Sequence, residues 1–374
     1  MRTVDRVARQ YTDPSITKDR LGFLDHLRIF AFLSVLLGHA LYRPLSQLAE
    51  DGTQHATVRA LVSILLPLLH LGGAGVAVFF LVSGYIITRV LQVELPGEFA
   101  IKRFFRIYPL YIAAVLAQWV SHLITGMQAE PQVLAMQLTL LGDLNSTPYS
   151  LGGVEWTLRI EIMFYVFMGG LSWATRKLRI TMTMAAPWIF PAIVVLLALL
   201  PPLTSGTLRW GHWPATGVIN LYFPLLLVGS MVFIHEKGGI SGTWLACFIA
   251  LVYAEFYWLT PRYQPLWKED HHAIIALVIF LVAWAVRSKL YAGRAVRWLS
   301  DLTYPVYLFH NWLYFAVVDQ LAKRSELPMV YCTAISFAVL FLVCSLGSRL
   351  LEKPFIVLGR RIVAGRRSVH LAGS

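Results

Sequence analysis

Two polar residues on an apolar helix near the start of the chain have types and a spacing suited to chemistry. Residues 24–40 read LDHLRIFAFLSVLLGHA, which places Arg28 and His39 eleven residues apart. Eleven residues of α-helix turn about 1100°, or three turns plus roughly 20°, and rise about 16 Å, so the two side chains share one face. An arginine suits phosphate groups, and a neutral histidine suits removal of a proton near pH 7. The alternative is that Arg28 reaches the inner lipid headgroups while His39 caps the outer end of the helix.

A basic cluster is predicted on the same side of the membrane as Arg28. Residues 102–109 read KRFFRIYP and begin a later apolar helix with Lys102, Arg103 and Arg106. One interpretation is a set of phosphate clamps beside Arg28, because guanidinium groups bind phosphate oxygens in pairs. The other is an interfacial anchor, which is the usual use of basic residues at helix ends. The spacing alone does not separate the two.

A carboxylate enters the membrane from the opposite side. Residues 156–165 read WTLRIEIMFY, and Glu161 lies about six residues, or about 9 Å, into this helix. We expect a depth comparable with that of His39, where a carboxylate can orient an imidazole and stabilise its protonated form. The alternative is a structural ion pair between Glu161 and Arg159.

Further polar residues lie in or beside apolar segments. Ser83 and Tyr85 belong to residues 72–87, GGAGVAVFFLVSGYII, whose small residues favour close helix packing. We expect both to line the cavity that Arg28 enters. His310, in YPVYLFHN, lies near the middle of the membrane, either in the cavity or as a hydrogen-bonded core histidine. Asp25 and Glu352 receive the same structural or cavity-lining assignment.

The composition indicates that a lipid bilayer surrounds these residues. Of the 374 residues, 57% are apolar and 14% are charged, which is typical of a multi-span membrane protein. A crossing helix needs about 20 apolar residues. Ten such segments occur, at 24–42, 73–92, 104–125, 155–174, 183–203, 216–235, 242–260, 271–288, 302–322 and 329–350. The predicted fold class is therefore an all-α polytopic membrane protein with about ten transmembrane helices around a central cavity.

The charge pattern predicts the topology. The net charge is +12, and the basic residues lie at the ends of apolar segments on alternate connections. The positive-inside rule makes those connections cytoplasmic and places both termini there, and the pattern argues against a nucleic-acid partner. The three cysteines lack metal-ligand spacing, so we expect no metal and no bound cofactor. The predicted organisation is a cytoplasmic segment at 1–23, a membrane domain at 24–355 and a basic cytoplasmic tail at 356–374; the oligomeric state stays open.

Six segments follow one another in an order that matches a known family. They are LDHLRIFAFLSVLLGH, FFLVSGYII, KRFFRIYP, WTLRIEIMFY, YPVYLFH and RLLEKPF, spread over residues 24–355. The set resembles the acyltransferase-3 family of membrane-bound O-acyltransferases, whose opening pattern LDGLRG leads to a histidine at the spacing of Arg28 and His39. His26 and Ile29 stand where the family pattern has glycine, and Lys102 stands where arginine is more common.

The resemblance implies transfer of an acyl group, most often acetyl, from cytoplasmic acyl-CoA to a hydroxyl of a carbohydrate or glycolipid. In this interpretation His39 is the general base and Glu161 orients it, in the inner membrane of a bacterium. Donor contacts are assigned to Arg28, Arg103, Arg106, Ser83 and Tyr85. A covalent acyl-histidine intermediate is the mechanistic alternative. A transporter or flippase of a glycolipid or small acid is the alternative function.

Overall fold

The computed structural model describes residues 20–69, 71–127, 130–140, 148–200, 217–263 and 271–372, and every regular element in these ranges is helical. Residues 1–19 of the predicted N-terminal segment lie outside the described residues. The α-helices are α1 Gly22–Glu50, α2 Ala56–Leu69, α3 Gly72–Leu91, α4 Pro96–Thr125, α5 Pro131–Gln137, α6 Glu155–Lys177, α7 Met182–Leu199, α8 Val218–Glu236, α9 Gly242–Tyr263, α10 His272–Ala285, α11 Arg294–Asp301, α12 Thr303–Phe309, α13 Trp312–Arg324, α14 Met329–Gly347 and α15 Lys353–Ala372. A 3₁₀ turn covers Leu151–Gly153, and a π-helical turn, Ser348–Glu352, joins α14 to α15.

Membrane-crossing helices dominate this list. Within the described ranges, seven helical segments are long and apolar enough to cross a bilayer. They are Gly22–Glu50, Ala56–Leu91, Pro96–Thr125, Met182–Leu199, Val218–Glu236, Gly242–Arg262 and Met329–Arg366. The chain is thus an all-helical polytopic membrane protein, while the count of ten spans and the cytoplasmic placement of both termini stay predictions.

Three of the ten predicted spans differ from the seven for physical reasons. The helix α6 is long enough but carries Glu155, Arg159 and Glu161 in its first two turns, all of them buried. The segment predicted at 302–322 is divided at His310 and Asn311 into α12 and α13. The helix α10 has only 14 residues, short of the roughly 20 that a crossing needs.

The core is built around α3 and α8, which approach each other at two glycines. A Cβ atom on Gly84 would lie 1.8 Å from the carbonyl oxygen of Leu226, and one on Gly229 would lie 1.9 Å from that of Leu81. Only glycine permits such backbone contact between helices. The prediction that small residues in 72–87 serve close packing is confirmed, and this packing fixes the face of α3 that carries Ser83.

The last helix, α15, includes the predicted start of the tail at residue 356 and packs against the body of the protein. The rings of Phe105 on α4 and Phe355 on α15 stack with their centroids 6.5 Å apart. Gly359 lies against Phe105 as well, since a Cβ there would be 2.9 Å from the Cβ of that residue. The first turns of α15 therefore belong to the helical bundle, and they bring Arg360 to the site described next.

Candidate active site

A cavity of about 600 Å³ opens beside the N-terminal end of α1. The helices α1, α3, α4, α6, α12 and α15 all contribute to its wall. Its described lining includes seven cationic residues, Arg20, Arg28, Arg89, Arg103, Arg106, Lys353 and Arg360. Four acidic residues accompany them, Asp25, Glu161, Asp301 and Glu352. The surplus of positive charge favours the binding of an anionic group in the cavity.

Asp25 anchors the N-terminal end of α1 rather than serving a ligand. Its carboxylate is 1% exposed and accepts hydrogen bonds from Arg20 Nε at 2.7 Å and Arg20 Nη2 at 2.9 Å. Ser300 Oγ donates a third, at 2.7 Å. The bond to Asp25 raises the pKa of Arg20 above its ordinary value. These contacts hold α1 to α11 and leave Arg28, whose Nη1 is 4.0 Å from Asp25 Oδ1, directed at the cavity.

Arg103 brings a guanidinium group to the cavity on a rigid support. Its central carbon lies over the rings of Phe99 and Tyr165, 5.3 and 5.9 Å from their centroids. Its Nε atom is buried and has no hydrogen-bond partner among the described residues. Arg28, Arg103 and Arg106 thus line one cavity, as the sequence predicts, with donor groups available to phosphate oxygens.

Glu161 lies in the same cavity. Ser83 Oγ donates to Glu161 Oε1 at 2.6 Å, and the Tyr165 hydroxyl donates to the same oxygen at 2.5 Å. The predicted alternative, an ion pair between Glu161 and Arg159, is replaced by a pair between Arg159 and Glu155 one turn earlier. Among the described residues Glu161 makes no hydrogen bond to His39, whose Nδ1 atom faces Asn311, so the role predicted for Glu161 stays a prediction.

Tyr85 does not share the cavity with Ser83. Residues two apart on a helix are separated by about 200°, so their side chains leave on opposite faces. The Tyr85 hydroxyl donates instead to Glu236 Oε2 at 2.9 Å, and Trp284 Nε1 donates to that oxygen at 2.7 Å. The geometry therefore gives Tyr85 a structural role in the packing of α3 against α8 and α10, in place of the predicted donor contact.

His39 lies at the other end of the shared face of α1 and is exposed. Asn311 Nδ2 donates to the carbonyl oxygen of Gly152 at 2.6 Å, which fixes the amide with its oxygen toward His39. Asn311 Oδ1 is 3.2 Å from His39 Nδ1, so that nitrogen carries the proton and donates. The Nε2 atom of neutral His39 then holds a free lone pair, as a general base requires.

His310 packs beside this imidazole. The two ring centroids are 5.1 Å apart. His310 is 2% exposed, and its Nδ1 atom donates to the carbonyl oxygen of Tyr307 at 2.8 Å. Its Nε2 atom is buried and has no hydrogen-bond partner within the described ranges. Of the two predicted roles, the structure favours that of a hydrogen-bonded core histidine. The ring of His310 packs against that of His39.

Several residues at this site escape the sequence reasoning. Glu352 lines the cavity as expected. Arg360 and Arg89 also line it but are not predicted, because Arg360 lies beyond the predicted end of the membrane domain and Arg89 lies at the end of an otherwise apolar helix. Asn311 directly follows His310 in YPVYLFHN, and a polar residue beside a buried histidine is the signal that identifies it.

Comparisons with known proteins give a family match and a curated relative. The family model for an acyltransferase domain matches residues 21–348. The chain is 22% identical to the peptidoglycan O-acetyltransferase OatA of Listeria monocytogenes over 79% of its own length and 54% of that protein's. The chain thus spans about half the length of this curated relative. No solved structure matches the chain.

Proposed function

Because the chain belongs to the acyltransferase-3 family, we propose that it moves an acyl group, acetyl in the simplest case, from acyl-CoA to a hydroxyl of a carbohydrate. The observation that carries this proposal is that α1 presents two different chemical environments along its length. A cationic cavity lies beside Arg28, and eleven residues further along the same helix His39 holds a free Nε2 lone pair. One end suits the phosphates of a coenzyme, and the other suits proton removal.

The donor occupies the cationic cavity. Its phosphate groups contact Arg28, Arg103 and Arg106, since multiply charged phosphates bind where several guanidinium groups converge. The rise from Arg28 to His39 is about 16 Å, which a pantetheine arm can span. Glu161 accepts hydrogen bonds from Ser83 and Tyr165 and so holds α3 to α6 in the cavity wall, rather than acting on the acceptor.

The acceptor reaches His39 from the exposed side of the protein. His39 Nε2 takes the proton of the acceptor hydroxyl, and the resulting oxyanion attacks the thioester carbonyl carbon. The C–S bond breaks, and the proton on His39 passes to the departing thiolate. Positioned proton transfer of this kind contributes about 10² to 10⁴-fold in rate. Asn311 is a positioning residue that holds Nδ1 as the donor throughout.

A covalent route uses the same lone pair. In that route His39 Nε2 attacks the thioester first, and the acceptor hydroxyl takes the acyl group from nitrogen. The two routes differ in a single-turnover experiment without acceptor: a burst of free coenzyme A, one per protein, indicates the covalent route, and no burst indicates direct transfer.

The acceptor class comes from the curated relative, whose name specifies peptidoglycan. We extend this only to a carbohydrate or glycolipid hydroxyl, presented at the outer face of a bacterial inner membrane. The bilayer itself is the other partner, consistent with seven described segments that can cross it.

The test is transfer of radiolabelled acetyl from acetyl-CoA to candidate glycans by the purified protein. The wild-type protein should label a glycan, and His39→Ala should abolish labelling without loss of membrane insertion. His55→Ala, at an exposed histidine beside α2, is the matched control and should keep activity. Labelled glycan in the His39→Ala sample would contradict the assignment, and label accumulating in vesicles without a covalent product would indicate transport.

A further inference from the structure

We propose that Phe79 and Tyr307 form a gate between the cationic cavity and His39, and that this gate restricts transfer to short acyl groups. The inference rests on the proposed function, because it concerns the passage of the thioester from one end of α1 to the other. It adds a residue pair that sets the length of the acyl chain.

A second, small void lies along α1 between the two ends of the site. Phe79 lines the 600 Å³ cavity and also a second void of about 10 Å³. The other walls of this void include Ala31 and Val35, which lie on α1 between Arg28 and His39. A void of about 10 to 15 Å³ holds a single water. An acetyl thioester that passes through this void toward His39 therefore needs a lining side chain to move.

Aromatic rings close the route in a continuous row. Phe79 and Tyr307 are stacked, with centroids 6.1 Å apart and planes inclined by 6°. The Tyr307 ring is 5.7 Å from the ring of His310, which in turn is 5.1 Å from that of His39. The row begins at the cavity wall and ends at the proposed base, so Phe79 and Tyr307 lie between the two ends of the site.

The two members of the gate are held differently. The Tyr307 hydroxyl donates to the carbonyl oxygen of Val154 at 2.8 Å and is hydrogen-bonded to the hydroxyl of Thr157. Phe79 is half-buried and has no hydrogen-bonding group in its side chain, and its ring contacts among the described residues are with Tyr307 and Phe80. Tyr307 is therefore the fixed side. Phe79 is the side that swings between rotamers, and the space it leaves sets the size of the acyl group that passes.

The first test measures acyl-chain selectivity with acetyl-, butyryl- and hexanoyl-CoA. Wild-type protein should transfer acetyl fastest, and the transfer rate should fall by about tenfold for each methylene added to the acyl chain. Phe79→Ala should transfer the longer chains at rates within a few-fold of acetyl, and Phe79→Trp should lose transfer while still binding acyl-CoA. Phe315→Ala, which removes a ring from the surface of α13, is the control and should keep the wild-type profile.

The outcomes separate the gate from the function. If wild-type protein transfers no acyl group, the proposed function is wrong. If it transfers acetyl and Phe79→Ala keeps the same chain-length profile, the gate alone is wrong. Phe79→Leu retains apolar volume without a ring and should give an intermediate chain-length profile. This variant replaces Phe79→Ala if the alanine variant does not fold.

A second test does not depend on catalysis. Val35→Cys places a thiol in the small void, in a Cys247→Ser background because Cys247 is exposed. A charged, water-soluble thiol reagent supplied from the cavity side should leave this cysteine unlabelled, and adding Phe79→Ala should make it label fully. Equal labelling with and without Phe79→Ala would overturn the gate.

Discussion

Replacement of Asn311 by Ala isolates the group that orients the base. The substitution removes the acceptor 3.2 Å from His39 Nδ1 and the donor that holds the Gly152 carbonyl at 2.6 Å. A hydrogen bond to a charged group contributes about 1.5 to 3 kcal/mol, and the lower end applies because His39 is exposed. A loss of about 1.5 kcal/mol from the transition state lowers kcat by about tenfold.

The assay is the initial rate of acetyl transfer at saturating acyl-CoA, with KM for acyl-CoA measured in parallel. We expect Asn311→Ala to lower kcat and leave KM for acyl-CoA unchanged, since Asn311 does not line the cationic cavity. Asn311→Asp is the matched control. It keeps an oxygen acceptor for Nδ1 but loses the donor to Gly152, so it should retain more activity than the alanine variant.

Glu161→Gln completes the comparison. The amide oxygen still accepts from Ser83 and Tyr165, while one negative charge leaves a cavity that binds a polyanion. We expect a lower KM for acyl-CoA and little change in kcat. A large fall in kcat for Glu161→Gln, together with unchanged kcat for Asn311→Ala, would refute the reasoning and restore Glu161 as the orienting residue.

Three further predictions concern the cavity and its supports. Arg28→Ala and Arg106→Ala should each raise KM for acyl-CoA, and the KM of each variant should change less with salt than that of wild type, as initial rates at two ionic strengths will show. An unchanged KM would remove these residues from the donor site. Asp25→Ala should lower the melting temperature, by the equivalent of about 1 to 3 kcal/mol, because Arg20 and Ser300 lose a buried acceptor; an unchanged melting temperature would contradict the anchoring role. Gly84→Ala should prevent folding, since the added Cβ would meet a backbone oxygen at 1.8 Å, whereas Gly170→Ala on α6 has open space and should fold normally; size-exclusion profiles of the two variants decide this.

Helical periodicity predicted the parts of the site that lie on one helix or at one membrane face. Arg28 and His39 follow from the spacing on α1, and Arg103 and Arg106 follow from a basic cluster at the same end of the bundle as Arg28. In each case the inference needs only the rise and turn of an α-helix. These residues lie where the sequence indicates, with Arg28, Arg103 and Arg106 around one cavity.

The direction that a side chain takes from its helix was harder to predict. The prediction for Glu161 rests on its depth, but depth does not specify which neighbouring helix it faces, and it faces Ser83 of α3 rather than α1. The prediction for Tyr85 groups it with Ser83, although two residues turn a helix by about 200°. The first error arises because the rotation of a helix about its axis is set by packing, whereas the second could be avoided from helix geometry alone.

Hydropathy had a related limit. It finds an apolar segment at 155–174, but it does not reveal that the first two turns of α6 bury Glu155, Arg159 and Glu161. The position of Asn311 beside His310 marks it as a candidate, but the sequence does not reveal its partner, the Gly152 carbonyl 159 residues away. Contacts of this range arise only when the chain folds.

The most direct test of the central claim is transfer between the two sides of a membrane. Proteoliposomes containing protein of one orientation receive radiolabelled acetyl-CoA only on the side of the Arg28 cavity and the glycan acceptor only on the other side. The account predicts labelled glycan on the side opposite the donor, and none in His39→Ala vesicles. Labelled glycan that forms only when donor and acceptor share a side would contradict transfer along α1.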